Sequence, residues 1–156
     1  MRLARAETPD GIVRGEYVDG VVETDADSYG IGEEATLLAP VDPDAMFCVG
    51  RNFGEKVEQM DYEIPEIPDW FIKPPHGLHP PERPIPYPDW TDELTYAGEL
   101  AAVVGERCHG IGEDEVDDVL RGYTILNDLD ALDQERRTAR KAFDASGPLG
   151  PWIETD

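Results

Sequence analysis

A chain of 156 residues has room for one ordinary domain with a real core and is short for two. Its 35 Asp and Glu against 13 Lys and Arg give a formal net charge of −22, which excludes a nucleic-acid partner because phosphate binding needs basic patches. The opening residues Met1-Arg-Leu-Ala-Arg-Ala-Glu7 carry no apolar leader, and no window reaches the ~18 apolar residues of a membrane span, so a soluble, cytoplasmic protein with no membrane partner is expected.

The acids are spread along almost every segment, while lysine is confined to Lys56, Lys73 and Lys141. An acid-coated surface of this kind suits a salt-adapted, halophilic protein, since a Debye length of roughly 3 Å at 1 M salt removes the self-repulsion. Cys48 and Cys108 lack metal-ligand spacing and are expected to be reduced, buried thiols.

In chain order, residues 1–44 read as a small antiparallel β unit. Pro9-Asp-Gly11 marks one turn, and Asp19-Gly20 between two β-prone runs is a strong hairpin signal. The continuous apolar run Ala45-Met-Phe-Cys-Val-Gly50 suits a strand buried on both faces. The polar segment 51–60 after it has the length of a helix and the position of a mobile flap. Prolines punctuate residues 62–89, so extended loop and edge strand are expected there, broken by Trp70-Phe-Ile-Lys73. His76 and His79 lie in that loop without a third ligand and read as surface residues.

Residues 94–105 read as a strand. Period-two alternation puts Thr95, Ala97, Glu99, Ala101 and Val103 on one face, with Tyr96, Gly98, Leu100, Ala102 and Val104 on the other. Glu99 is then either a carboxylate on a solvated face or one held by a partner or metal ion. Residues 112–121 suggest a short amphipathic helix with Val116, Val119 and Leu120 inward. The apolar strand Gly122-Tyr-Thr-Ile-Leu-Asn-Asp128 follows, with Thr124, Leu126 and Asp128 on one face. Asn127-Asp128 either caps the next turn or offers a carboxylate to a hard cation. Residues 131–142 have helix-forming composition, and 143–152 read as a Gly/Pro loop.

Several of these segments, in this order, match a known pattern: Cys48-Val-Gly-Arg-Asn-Phe53, Trp70-Phe-Ile-Lys-Pro74, Tyr96-Ala-Gly-Glu-Leu-Ala-Ala-Val-Val-Gly105, Gly122-Tyr-Thr-Ile-Leu-Asn-Asp128, Lys141-Ala-Phe-Asp144 and Pro148-Leu-Gly-Pro-Trp152. Together they resemble the fumarylacetoacetate hydrolase family over about residues 45–154. The resemblance implies an α+β fold, mainly a mixed β-roll or sandwich, with residues 1–44 as a small N-terminal unit and 45–156 as a partial catalytic domain. It implies an enzyme that hydrolyses, cleaves or isomerises small 2-oxo or 1,3-dicarbonyl acids, a homodimer, and Mg²⁺ or Mn²⁺ as cofactor. Its metal ligands map to Glu99 and Asp128, with Ala97 standing where a further glutamate belongs. Lys141 and Lys56 map to catalytic positions, and Asn52, Lys73 and Gln134 to substrate contacts.

Lys56 and Gln59 stand where many members of that family have a His and a Glu that activate water, and Leu132 stands where they have an Arg. Enolate chemistry such as tautomerisation or decarboxylation is therefore expected over hydrolysis. Family members also run through further strands after the Pro-Leu-Gly-Pro segment, so an incomplete C-terminus is expected. The alternative is a non-catalytic truncated relative that keeps the fold and binds a metal or dicarboxylate.

Overall fold

Turn chemistry shapes the start of the chain. The computed structural model describes residues 1–63 and 65–155, apart from the side chain of Lys56. Strand β1 (Arg2–Thr8) folds back on β2 (Gly11–Val18), and β2 on β3 (Val21–Glu23). Asp19 and Gly20 join β2 to β3 with φ of 47° and 91°, the two positive values a tight hairpin turn asks of an Asp-Gly pair. Strand β4 (Ser28–Gly30) pairs with β3, and β5 (Thr36–Leu38) returns beside β1.

Strands β6 (Met46–Gly50) and β7 (Asp69–Lys73) form a separate two-stranded antiparallel ribbon, with helix α1 (Gly54–Gln59) in the connection. Strand β8 (Leu78–His79) follows. Then come β9 (Leu94–Val104), α2 (Val116–Val119), β10 (Leu120–Ala131), α3 (Arg137–Lys141) and β11 (Gly147–Glu154). A nine-stranded sheet runs in the order β4-β3-β2-β1-β11-β10-β9, with β5 also on β1 and β8 parallel to β11. Residues 1–44 and 45–156 thus contribute strands to one sheet, and among the described residues no helix is long and apolar enough to cross a membrane.

One core cluster joins Ala4, Ala6, Val22, Ala35 and Leu37, with Tyr17 stacked on Trp152 at 4.7 Å at its edge. A second joins Ala39, Leu126 and Leu149 beneath Met46, Cys48 and Ala101.

Four expectations need correction. The run 45–50 is a strand, but its Phe47 is 68% exposed, since among the described residues β6 pairs only with β7. Residues 143–152 are not a loop: β11 runs between β1 and β10, and its prolines disguised a sheet-forming segment that tolerates them where the β10–β11 register shifts. The helix expected over 112–121 is a 3-10 turn at Glu113–Glu115 followed by α2, with β10 taking Leu120 and Arg121 and Val116 left exposed, and the one expected over 131–142 shrinks to α3. Cys48 is half-buried and Cys108 exposed, both free thiols.

Gly122 takes a φ of 142°, and a Cβ there would lie 2.2 Å from the Glu154 carbonyl oxygen. Gly122→Ala is therefore expected to lower the unfolding free energy by more than about 2 kcal/mol, measured by urea unfolding in molar salt.

Candidate active site

The β9–β10 ladder decides which side chains meet. Asp128 stands directly across from Ala97, and Leu126 across from Glu99. Directly opposed residues share a face, so Asp128, Glu99 and Ala97 lie together while Asn127, opposite Gly98, lies on the other side. Asp128 sits inside β10, which continues to Ala131, and it is only 6% exposed. A helix-capping role for it is thereby excluded.

Two lysines converge on this carboxylate. Lys73, the last residue of β7, is 0% exposed, and its Nζ lies 3.0 Å from Asp128 Oδ1. That Nζ donates to the carbonyls of Leu129 (3.1 Å), Lys141 (3.0 Å) and Ser146 (2.7 Å). An ammonium has three protons, and three carbonyls take them. The contact with Asp128 is therefore ionic, and Oδ1 is left buried without a hydrogen bond. Burial pushes the Lys73 pKa down against the pull of Asp128.

Lys141, at the end of α3, donates to Asp128 Oδ2 at 2.5 Å, lies 3.2 Å from Asp130 Oδ2, and sits 5.1 Å from the Phe71 ring centre. Arg140 forks onto both oxygens of Asp130 at 2.7 and 2.6 Å. Burial raises the Asp130 pKa, but the Arg140 fork and Lys141 outweigh it and hold the group below 3.8. Arg137, also on α3, forks onto Asp69 of β7 and lies over Phe71. All three cations of α3 are thus tied to strands by carboxylates. Burial and the Asp128 charge push the Cys48 thiol pKa up.

Of the residues expected at the site, Asp128, Glu99, Lys141 and Lys73 are brought together. The substrate contact expected of Lys73 needs correction, because its donors are spent on backbone carbonyls and none of it reaches solvent. Asn52 is exposed in the turn after β6, and Gln134 follows β10 beside Asp133, neither joined to the Asp128 cluster. The catalytic role expected of the Lys56 side chain lies outside the described residues. Asp130, Arg140, Arg137 and Asp69 were not anticipated. The signal for them was present, since Arg136, Arg137, Arg140 and Lys141 concentrate four of only 13 basic residues in one short segment. An open recess lined by Phe47, Trp70, Phe71, Ile72, Arg137 and Lys141 places apolar walls beside two cations.

Asp128 Oδ1, ion-paired with Lys73 but without a directed hydrogen bond, and Glu99 on the same face are oxygen ligands of the kind Mg²⁺ or Mn²⁺ takes. Mg²⁺ is commonly held by one or two carboxylates while it keeps several waters, so the pair fits such an ion. Among the described residues no group of three or more His, Cys, Asp or Glu side chains is gathered around one point, and Ala97 offers no ligand opposite Asp128.

Comparison with known proteins identifies the family. The family described as fumarylacetoacetate (FAA) hydrolase C-terminal matches residues 45–156, and the chain belongs to that family. A Methanocaldococcus jannaschii protein is 38% identical over 123 residues, 76% of this chain and 52% of its own length. The mitochondrial oxaloacetate tautomerase fahd2 of Xenopus laevis is 32% identical over 127 residues, 77% of this chain and 40% of its own. The crystal structure of a 5-carboxymethyl-2-hydroxymuconate delta-isomerase from Mycobacterium smegmatis superposes with a TM-score of 0.87 at 34% identity, covering 100% of this chain and 66% of that one. The chain spans 52% of the first of these relatives and 40% of the second.

Two outcomes test the cluster. Lys73→Met is expected to cost about 3–5 kcal/mol of stability in urea unfolding, because three carbonyls and Asp128 lose their partner inside the protein. Asp130 has a folded pKa below its ordinary 3.8, so its contribution is complete above 3.8 and disappears as pH falls through the lower folded value. The stability gap between the wild type and Asp130→Asn, followed by denaturant melts, is expected to be constant at neutral pH and to close below that value.

Proposed function

We propose that this chain belongs to a divalent-cation-assisted enzyme acting on small 2-oxo carboxylic acids, and that it moves protons at the carbon next to the carbonyl or decarboxylates there rather than hydrolysing. The observation that carries this reading is Asp128, a buried carboxylate with one oxygen lacking a hydrogen bond, set on the face it shares with Glu99 and held by Lys141. Glu99 and Asp128 would hold Mg²⁺ or Mn²⁺, which when bound polarises a carbonyl and stabilises developing negative charge.

The chain's own residues supply the rest. Lys141 is kept in place by Asp128 and Asp130 and faces the apolar recess, where it can bind a substrate carboxylate and steady an enolate. Arg137 at the same recess offers a second cation to the far end of a dicarboxylate. Phe47, Trp70 and Ile72 wall that recess and would shed water from around the reacting carbon. Lys56 and Gln59, which stand in place of a His and a Glu, cannot orient and polarise a hydrolytic water as that pair does. The relatives named as a tautomerase and an isomerase of small carboxylic acids support the same class. We further propose that it works as a homodimer. Tyr96, Leu100, Val104, Tyr123 and Ile125 leave an apolar face exposed on β9 and β10.

Calorimetric titration of Mn²⁺ and Mg²⁺ into the wild type and Asp128→Ala in molar salt tests the proposal, together with ultraviolet assay of oxaloacetate tautomerisation. Binding that Asp128→Ala abolishes is expected, and Ala97→Glu is expected to tighten it roughly tenfold by adding a carboxylate ligand. Metal binding indifferent to Asp128, or none, rejects the cation-assisted mechanism in favour of a non-catalytic relative.

A further inference from the structure

A second site lies away from the Asp128 cluster. With 13 Lys and Arg set against 35 Asp and Glu, three arginines around one small cavity stand out. Arg5 of β1, Arg14 of β2 and Arg121 of β10 line a cavity of about 250 Å³, together with Pro40, Asp42 and Ile153.

Arg5 is 7% exposed, yet its guanidinium is largely unused. Its Nη1 donates to the Ala39 carbonyl at 3.0 Å. Nη2 lies 3.8 Å from Asp42 Oδ2, beyond hydrogen-bond reach, and the Asp42 side chain is itself 76% exposed. Nε is buried with no acceptor at all. A guanidinium carries five N–H donors, and buried donors are nearly always satisfied, so this one calls for an acceptor.

The β1–β2 register adds an independent argument. It sets Arg14 directly across from Arg5, and like charges directly opposed in a ladder repel. Among the described residues the Arg14 and Arg121 side chains have no ion-pair or hydrogen-bond partner. Asp42 is the one carboxylate in the lining, so the cavity keeps two positive charges in a chain whose net charge is −22.

We propose that this cavity binds a compact dianionic oxyanion of the phosphoryl class. Guanidinium forks match tetrahedral oxyanions, two negative charges cancel the excess, and the volume falls below the ~300–1,000 Å³ of pockets for larger organic ligands. The anion relieves the Arg5–Arg14 repulsion and bridges the N-terminal hairpin to β10, so its binding stabilises the fold by mass action.

The test is titration of the full chain with sodium phosphate at neutral pH, by calorimetry and thermal melting, with sodium chloride controls at equal ionic strength. One saturable site is expected, with a melting temperature that rises with phosphate beyond the chloride control. Arg14→Gln and Arg121→Gln, both at exposed positions, are each expected to weaken binding about tenfold or more, the effect of losing a charge-assisted hydrogen bond. Asp42→Asn is expected to tighten it severalfold, which a purely structural role of these residues would not produce. Stabilisation no greater than that by chloride, or arginine variants that titrate like the wild type, would overturn the proposal. Malonate, a dicarboxylate of the same charge, binding more tightly than phosphate would overturn the phosphoryl assignment.

Discussion

The buried ammonium of Lys73 is the contact on which the rest of the candidate site depends. Removing an ammonium from water costs several kcal/mol, and the protein offsets that with three backbone carbonyls and one carboxylate. Those carbonyls come from β10, from the last residue of α3 and from the turn into β11. One charge on β7 therefore holds together segments distant in sequence. Its three protons are directed at carbonyls, which is why Asp128 Oδ1 has the ammonium beside it at 3.0 Å as an ionic partner but no directed hydrogen bond. The chemical potential of the site follows from how a structural lysine is satisfied.

A similar rule governs α3. It has only five residues, too few to be stable by helix propensity alone. Arg137, Arg140 and Lys141 each reach a carboxylate on a neighbouring strand, and Phe71 packs beneath two of them. In an acidic protein, scarce cations serve where several strands must be joined. The arginine-lined cavity departs from this pattern, since there the cations outnumber the acids.

The parts of the fold legible in the sequence were those set by local chemistry. Asp19-Gly20 specified its hairpin, and strict alternation put Glu99 on one face with Ala97 and Asp128 on one face with Leu126. Periodicity reports a face but not a depth. It could not say that Phe47 is exposed, nor that Lys73 is buried with every donor occupied. Strand β11 escaped because Pro148 and Pro151 deny it the donors by which a central strand is recognised, while its pairing partners lie far away in sequence. Lys141 was legible through its motif. Asp130 and Arg140 were not, because their pairing depends on where α3 begins, and that is set by how far β10 extends.

Ala97 gives the electrostatics of the cluster its sense. Around Asp128, the carboxylates of Asp128, Asp130 and Glu99 are matched in number by the cations Lys73, Lys141 and Arg140. A fourth carboxylate at position 97, directly across from Asp128, would leave a buried excess of negative charge that only an added cation could relieve. With alanine there, the cluster is balanced by its own side chains.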